Sequence, residues 1–246
     1  MEADDQERPA GGGNGALPAN RRDHPQPDRK GSRALWTVLG KRNPDNPQNL
    51  IPAALLVTLS MAVLYTVLDV LQPREPLYTL LAFLPGTISL VALRAAGLSR
   101  LELNLRLAPV SKAGLAVLAA TTLLMLPILG SATSWVGWRW LPALVYAPAS
   151  GIAQELFFRA ALLPGLERAF GHRKTIALLT HSAIFVGFHY RTFQAIPSFP
   201  IFLLVAAVLF LAGCGWGWQV QRDRTVVWSM LQHSLFLVPM SLFGWT

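Results

Sequence analysis

From residue 50 onward the chain is a succession of apolar runs separated by short charged joints. Residues 50–71 hold a single charge, Asp69, and residues 77–93 hold none. A third run extends over 113–130, where Gly130, Ser131 and Ser134 mark a turn. A fourth, 140–163, contains Glu155 and Arg159; a fifth, 174–191, contains His181 and His189. The sixth lies within the uncharged stretch 192–221, and the seventh, 225–246, contains His233. A hydrocarbon core about 30 Å thick needs roughly 20 helical residues to cross it. Lipid offers nothing to satisfy an irregular backbone, so each run is expected to be a helix. The pattern predicts an all-α fold, a polytopic transmembrane helix bundle of seven spans. Pro197 and Pro200 are placed to break the long sixth run, which would give an eighth half-helix.

Residues 1–49 read differently. "AGGGNG" and "NRRDHPQPDRKGS" are rich in Gly, Pro, Asn and charge and cannot bury a core, so this stretch is expected to be a disordered cytoplasmic tail ahead of a membrane domain at 50–246. No apolar h-region follows Met1, which excludes a signal peptide. Ala34, Leu35, Trp36, Val38 and Leu39, between Arg33 and Lys41, fit either a short interfacial helix or a plain juxtamembrane linker.

Charge sharpens the picture. Only 14% of the chain is charged, against about 25% in soluble domains, and the first 49 residues hold 8 Lys/Arg and 7 Asp/Glu of that total. What remains is too little polar surface for a soluble core. The net charge of +8 belongs to no basic face with interleaved aromatics, so no nucleic-acid partner is expected. With the N-terminus in the cytoplasm, the cytoplasmic joints carry Arg94, Arg100, Arg106, Lys112, Arg168, Arg173, Lys174, Arg222 and Arg224, and the opposite joints only Arg74, Arg139 and Arg191. That asymmetry is the positive-inside bias. It puts Cys214 near the cytoplasmic end of the sixth span. Trp135, Trp138 and Trp140 are expected at one interface, and Trp216, Trp218 and Trp228 at the other. The lone cysteine excludes an intrachain disulfide.

A charge inside a span costs a few kcal/mol or more and so faces a partner or water. Glu155 and Arg159 are four apart, on one helix face with the small residues Ala147 and Gly151, which let a neighbouring helix come close. His181 and His189 share a face of the next helix with Phe185, and His233 lies alone in the last run. Asp69 is expected to reach the interface. One carboxylate and several imidazoles on three apolar helices can activate a water and stabilise an oxyanion. A structural ion pair and interhelical hydrogen bonds are the alternative. With no HExxH and no short ligand spacing, no metal and no cofactor are expected.

The segments "QELFFRAALL" (Gln154, Glu155, Arg159), "FVGFH" (Phe185 to His189) and "HSLFL" (His233 to Leu237) resemble, in that order, the EExxxR, FxxxH and HxxxN motifs of the CPBP family. This family comprises the CAAX prenyl protease 2 and bacteriocin-processing intramembrane glutamic endopeptidases. The resemblance covers about 145–240, and "GLSRLELNLRLAP" is similar to the family's cytoplasmic joint. It implies a membrane hydrolase with Glu155, Arg159, His189 and His233 as site residues. Two positions depart from the pattern. The family's first glutamate, its water-activating base, is Gln154, and a neutral amide takes no proton at pH 7. The family's final asparagine, an oxyanion donor, is Leu237.

Two functions follow from this set. The first is an intramembrane endopeptidase in which Glu155, or a water bound to it, is the base, with His189 and His233 as oxyanion or orienting groups. It would act on a membrane-associated protein or peptide near the cytoplasmic side, from within the bilayer of a bacterial cytoplasmic membrane. The second is a catalytically degraded scaffold or immunity protein, which Gln154 and Leu237 favour. A transporter with Glu155 as a proton site would need paired broken helices, which the halves lack.

Overall fold

The computed structural model describes residues 47–244 except 72, 131–133, 136, 138, 195 and 197. The expectations for the tail and for Trp138 therefore lie outside the described residues. A turn of 3-10 helix, Pro47–Leu50, leads into α1, Ile51–Leu71, followed by α2, Leu77–Ala95, and α3, Lys112–Gly130. The next helix, α4, is continuous but changes pitch, with Pro142–Tyr146 π-helical, Ala147–Glu155 α-helical, Leu156–Leu162 π-helical and Leu163–Ala169 α-helical. Then come α5, Lys174–Phe188, the short α6, Tyr190–Gln194, α7, Phe199–Asp223, and α8, Val227–Met240. A two-residue antiparallel ribbon pairs Ser134–Trp135 with Phe243–Gly244.

Each apolar run is a helix. By length and hydropathy three of them, α1, α2 and α7, are long and apolar enough to cross a membrane. These three are apolar on the outside as well. Leu56, Val63, Leu80, Val91, Leu203 and Leu211 are exposed, the surface of a helix solvated by lipid. The chain is built to contact a bilayer. The sixth run is one helix from Phe199, with Pro200 in its first turn and the short α6 ahead of it; Pro197 lies outside the described residues.

The helix α4 is the core of the bundle. Phe157, Phe158, Ala160, Ala161, Leu162 and Leu163 are all buried, so no face of this stretch meets lipid. Close approach explains how so many neighbours fit. A methyl on Gly86 of α2 would lie 3.2 Å from the backbone nitrogen of Phe157, and one on Gly151 would lie 3.0 Å from the backbone of Ser234 in α8. The small-residue stripe through Ala147 and Gly151 therefore faces α8.

Two ends are distinct. At one, the joints after α2, α4 and α7 knit together. Arg168 reaches Glu102 and Arg224 reaches Glu167, each at 3.9 Å, Ser111 N–H donates to Asp223, and Leu105 bridges Thr225. At the other, Tyr78 donates to Asp69 at 3.3 Å, and Arg191 donates to the carbonyls of Asp69 and Val70, which the end of α1 leaves unpaired.

Candidate functional site

Glu155 is the last residue before the second π stretch. Such stretches displace the backbone pairing locally and occur often at functional sites. The displacement is met here by Asn104, a buried residue of the 96–111 joint, whose Nδ2 donates to the carbonyl of Arg159 at 3.2 Å. Side chains on both sides of the junction are thereby held. Glu155 Oε1 accepts from Arg159 Nη1 at 2.7 Å and from His233 Nδ1 at 2.8 Å, and neither Glu155 nor Arg159 has any exposed surface.

Aromatic rings take the rest of the load. The Arg159 guanidinium lies 4.2 Å from the centroid of Phe185 and 5.1 Å from that of Trp216. Such cation–π contacts are worth about 2 kcal/mol when desolvated. The His233 ring stacks on Trp216, with centroids 4.9 Å apart. Because Nδ1 of His233 donates to a carboxylate oxygen, Nε2 carries the free lone pair.

A cavity of about 260 Å³ opens in front of this cluster. Gln154, His189 and His233 line it, together with Asp69, Arg191 and Leu237. Glu155 and Arg159 are behind His233 and do not line it. His189 is pinned in the same manner as His233. Its Nδ1 donates to the Phe185 carbonyl at 2.8 Å, which again leaves Nε2 as an acceptor. Gln154 Nε2 donates one hydrogen to Ser150 Oγ at 3.3 Å and keeps a second.

The five predicted residues thus divide. Glu155, Arg159 and His233 form one hydrogen-bonded chain, and His233, His189 and Gln154 share one cavity. His181 is apart from both. It is buried, stacked parallel to Phe185 at 6.5 Å, and neither ring nitrogen has a hydrogen-bond partner among the described residues. The sequence reading missed Trp216, Asp69 and Arg191. Trp216, expected at an interface, is 2% exposed and forms the floor under His233. Its signal was the pair Gly213 and Gly217, which bring Ser182, Phe185 and Leu178 of α5 against that face of α7. Asp69, in the last turn of α1, accepts from Tyr78 and lines the cavity.

Residues 134–238, from the ribbon through α8, match the family model described as type II CAAX prenyl endopeptidase, Rce1-like. This segment is a CPBP-family domain. It takes in α4, α5, α7 and most of α8, the helices that supply Gln154, Glu155, Arg159, His189, Trp216 and His233. No curated protein and no solved structure matches the chain.

Proposed function

We propose that the chain is an intramembrane endopeptidase of the CPBP type in which His233, backed by Glu155, activates the water. The observation that carries this reading is the 2.8 Å contact between Glu155 and His233, together with the place of His233 in the lining of a cavity shared with His189 and Gln154. A water in the cavity gives its proton to His233 Nε2 as its oxygen attacks the peptide carbonyl. Glu155 stabilises the imidazolium that forms and fixes its tautomer, so it acts through His233 and touches no substrate. The second Gln154 amide hydrogen is a donor for the tetrahedral oxyanion. His189 Nε2 accepts the water's other hydrogen and orients it. When the C–N bond breaks, the His233 proton goes to the leaving amine, which closes the proton balance.

A second reading has its own observation. Gln154 and Leu237 stand in the cavity where the family has its base and an oxyanion donor, and the other walls are mainly apolar. This favours a scaffold that kept the fold and lost the chemistry. Hydrolysis by the reconstituted protein of a pool of single-span membrane peptides separates the two. The peptidase reading expects cleavage that His233→Ala abolishes at unchanged membrane abundance. Absence of cleavage by the parent, with cleavage gained on Gln154→Glu, would establish the scaffold.

A further inference from the structure

The cavity has a direction. Every helix that lines it does so with residues at its middle or toward one end of the bundle. Leu237 and Met240 lie beyond His233 on α8, Met125 lies in the last turns of α3, and Val205 and Leu209 lie in the first half of α7. Asp69 ends α1, and His189, Arg191 and Thr192 follow α5. At 1.5 Å per residue, Met240 is about 10 Å along the axis from His233. Thr192, at the rim, is exposed. Only Trp216, the floor, comes from the opposite half of its helix.

That opposite end is the basic one. Arg94, Arg100, Arg106, Lys112, Arg168, Arg173, Lys174, Arg222 and Arg224 belong to it. The end where the cavity opens has Arg74, Arg139 and Arg191, and Arg191 is bound to the carbonyls of α1. Basic joints stay in the cytoplasm. We infer that the cavity opens to the non-cytoplasmic side, so that its substrate is a peptide whose scissile bond lies just beyond the outer end of a membrane-inserted apolar segment.

The walls fit this substrate class. Between the histidines and the rim they are Met125, Val205, Leu209, Leu237 and Met240, a lining for apolar side chains. Asp69 and Arg191 at the rim meet the polar backbone where it leaves the bilayer. The inference rests on the peptidase reading for its substrate, but the direction of the cavity stands on geometry and charge alone. It differs from the sequence expectation of cleavage near the cytoplasmic face.

The test has two arms. In a Cys214→Ser background, Thr192→Cys or Gln194→Cys at the rim end, and Ser99→Cys at the basic end, are exposed to a membrane-impermeant thiol reagent on intact cells. The rim-end cysteines are expected to label from outside, and Ser99→Cys only after permeabilisation; the reverse pattern overturns the inference. Gln194→Cys serves if Thr192→Cys does not accumulate. In the second arm, single-span reporter peptides carry the same cleavable region on either face of vesicles of known orientation. Cleavage confined to the non-cytoplasmic face is expected. Cleavage confined to the cytoplasmic face overturns the direction and upholds the peptidase. Cleavage on neither face overturns the proposed substrate class together with the peptidase, and the labelling arm still decides where the cavity opens.

Discussion

Glu155→Gln changes charge and hardly any shape, which makes it the sharpest probe of the dyad. In the parent, one carboxylate oxygen takes hydrogens from Arg159 at 2.7 Å and from His233 at 2.8 Å. The amide oxygen can take the place of Oε1 and accept from both donors, with the NH₂ group in the place of Oε2, which has no hydrogen-bond partner among the described residues. The hydrogen bonds and the His233 tautomer are then kept, and what is lost is the negative charge that stabilises the imidazolium as it forms. General-base catalysis is worth about 10²–10⁴ in rate, and the drop should fall on kcat with little change in KM, since Glu155 does not line the cavity. The same change leaves the Arg159 charge buried with a neutral hydrogen-bond partner and no counter-charge, which costs up to about 3–5 kcal/mol. Stability must therefore be separated from rate. Glu155→Gln/Arg159→Met removes both charges and is expected to recover membrane abundance without recovering hydrolysis. Residues acting as a unit are not additive, so Glu155→Gln/His233→Ala should be no slower than His233→Ala alone. The assay is hydrolysis of a vesicle-embedded peptide at matched protein abundance. A parental rate for Glu155→Gln would refute the dyad.

Gln154→Glu puts a carboxylate in the cavity beside His189 and His233, and is expected to raise the rate or create activity where the parent has little, further with Leu237→Asn; a fall in rate at normal abundance would show that Gln154 serves as a donor that a carboxylate cannot replace. Arg159→Met alone strands Glu155 with only His233 and should lower thermal stability in detergent by about 3–5 kcal/mol, whereas Arg159→Met/Glu155→Leu should recover most of it. At the basic end, Glu102 accepts from the backbone N–H of Ser99 and from its hydroxyl, each at 2.8 Å, and the backbone bond is the main cause holding its carboxyl below the ordinary range. A depressed carboxyl stabilises above its unfolded pKa and loses that contribution as pH falls through its folded one. Hydrogen-exchange protection at the 99–105 joint, taken relative to the intrinsic rate at each pH, should therefore fall in acid below the normal carboxylate range, and Glu102→Gln should remove that dependence.

What the sequence revealed was what helical spacing encodes. The Glu155–Arg159 pair follows from four-residue separation on one helix, and the small stripe through Gly151 named the face that meets α8. Helix lengths were less legible. The fourth run loses its apolar character near Leu163, yet α4 continues to Ala169, because Glu167 is buried and reaches Arg224 across the bundle. The π stretch at Leu156–Leu162 leaves no mark that periodicity can read. Trp216 was misplaced because Trp218 and Trp228 near it suggested a belt. Only the glycines on either side show that this ring faces another helix. Asp69 and Arg191 meet across 122 residues, a contact that exists only once α1 and α5 end at the same depth.

The spacing FxxxH has a physical content that motif matching alone does not supply. As α5 ends, the backbone N–H of His189 bonds to Val186. The Phe185 carbonyl, its ordinary partner in an α-helix, is released. The imidazole of His189 takes that carbonyl, which fixes its tautomer and ring direction at once. The Phe185 ring meanwhile lies against Arg159 at 4.2 Å and meets the His233 ring edge-on at 6.3 Å. One buried residue therefore sets the position of a guanidinium and of both cavity-lining imidazoles. None of this is needed to hold α4, which is packed through Phe157, Phe158, Gly86 and Gly151. Apolar side chains of similar volume in place of the ion pair would be neutral or favourable for stability, more so within a membrane. The polar chain from Arg159 through Glu155 to His233 thus exceeds what packing requires, and its last member, His233, lines a cavity.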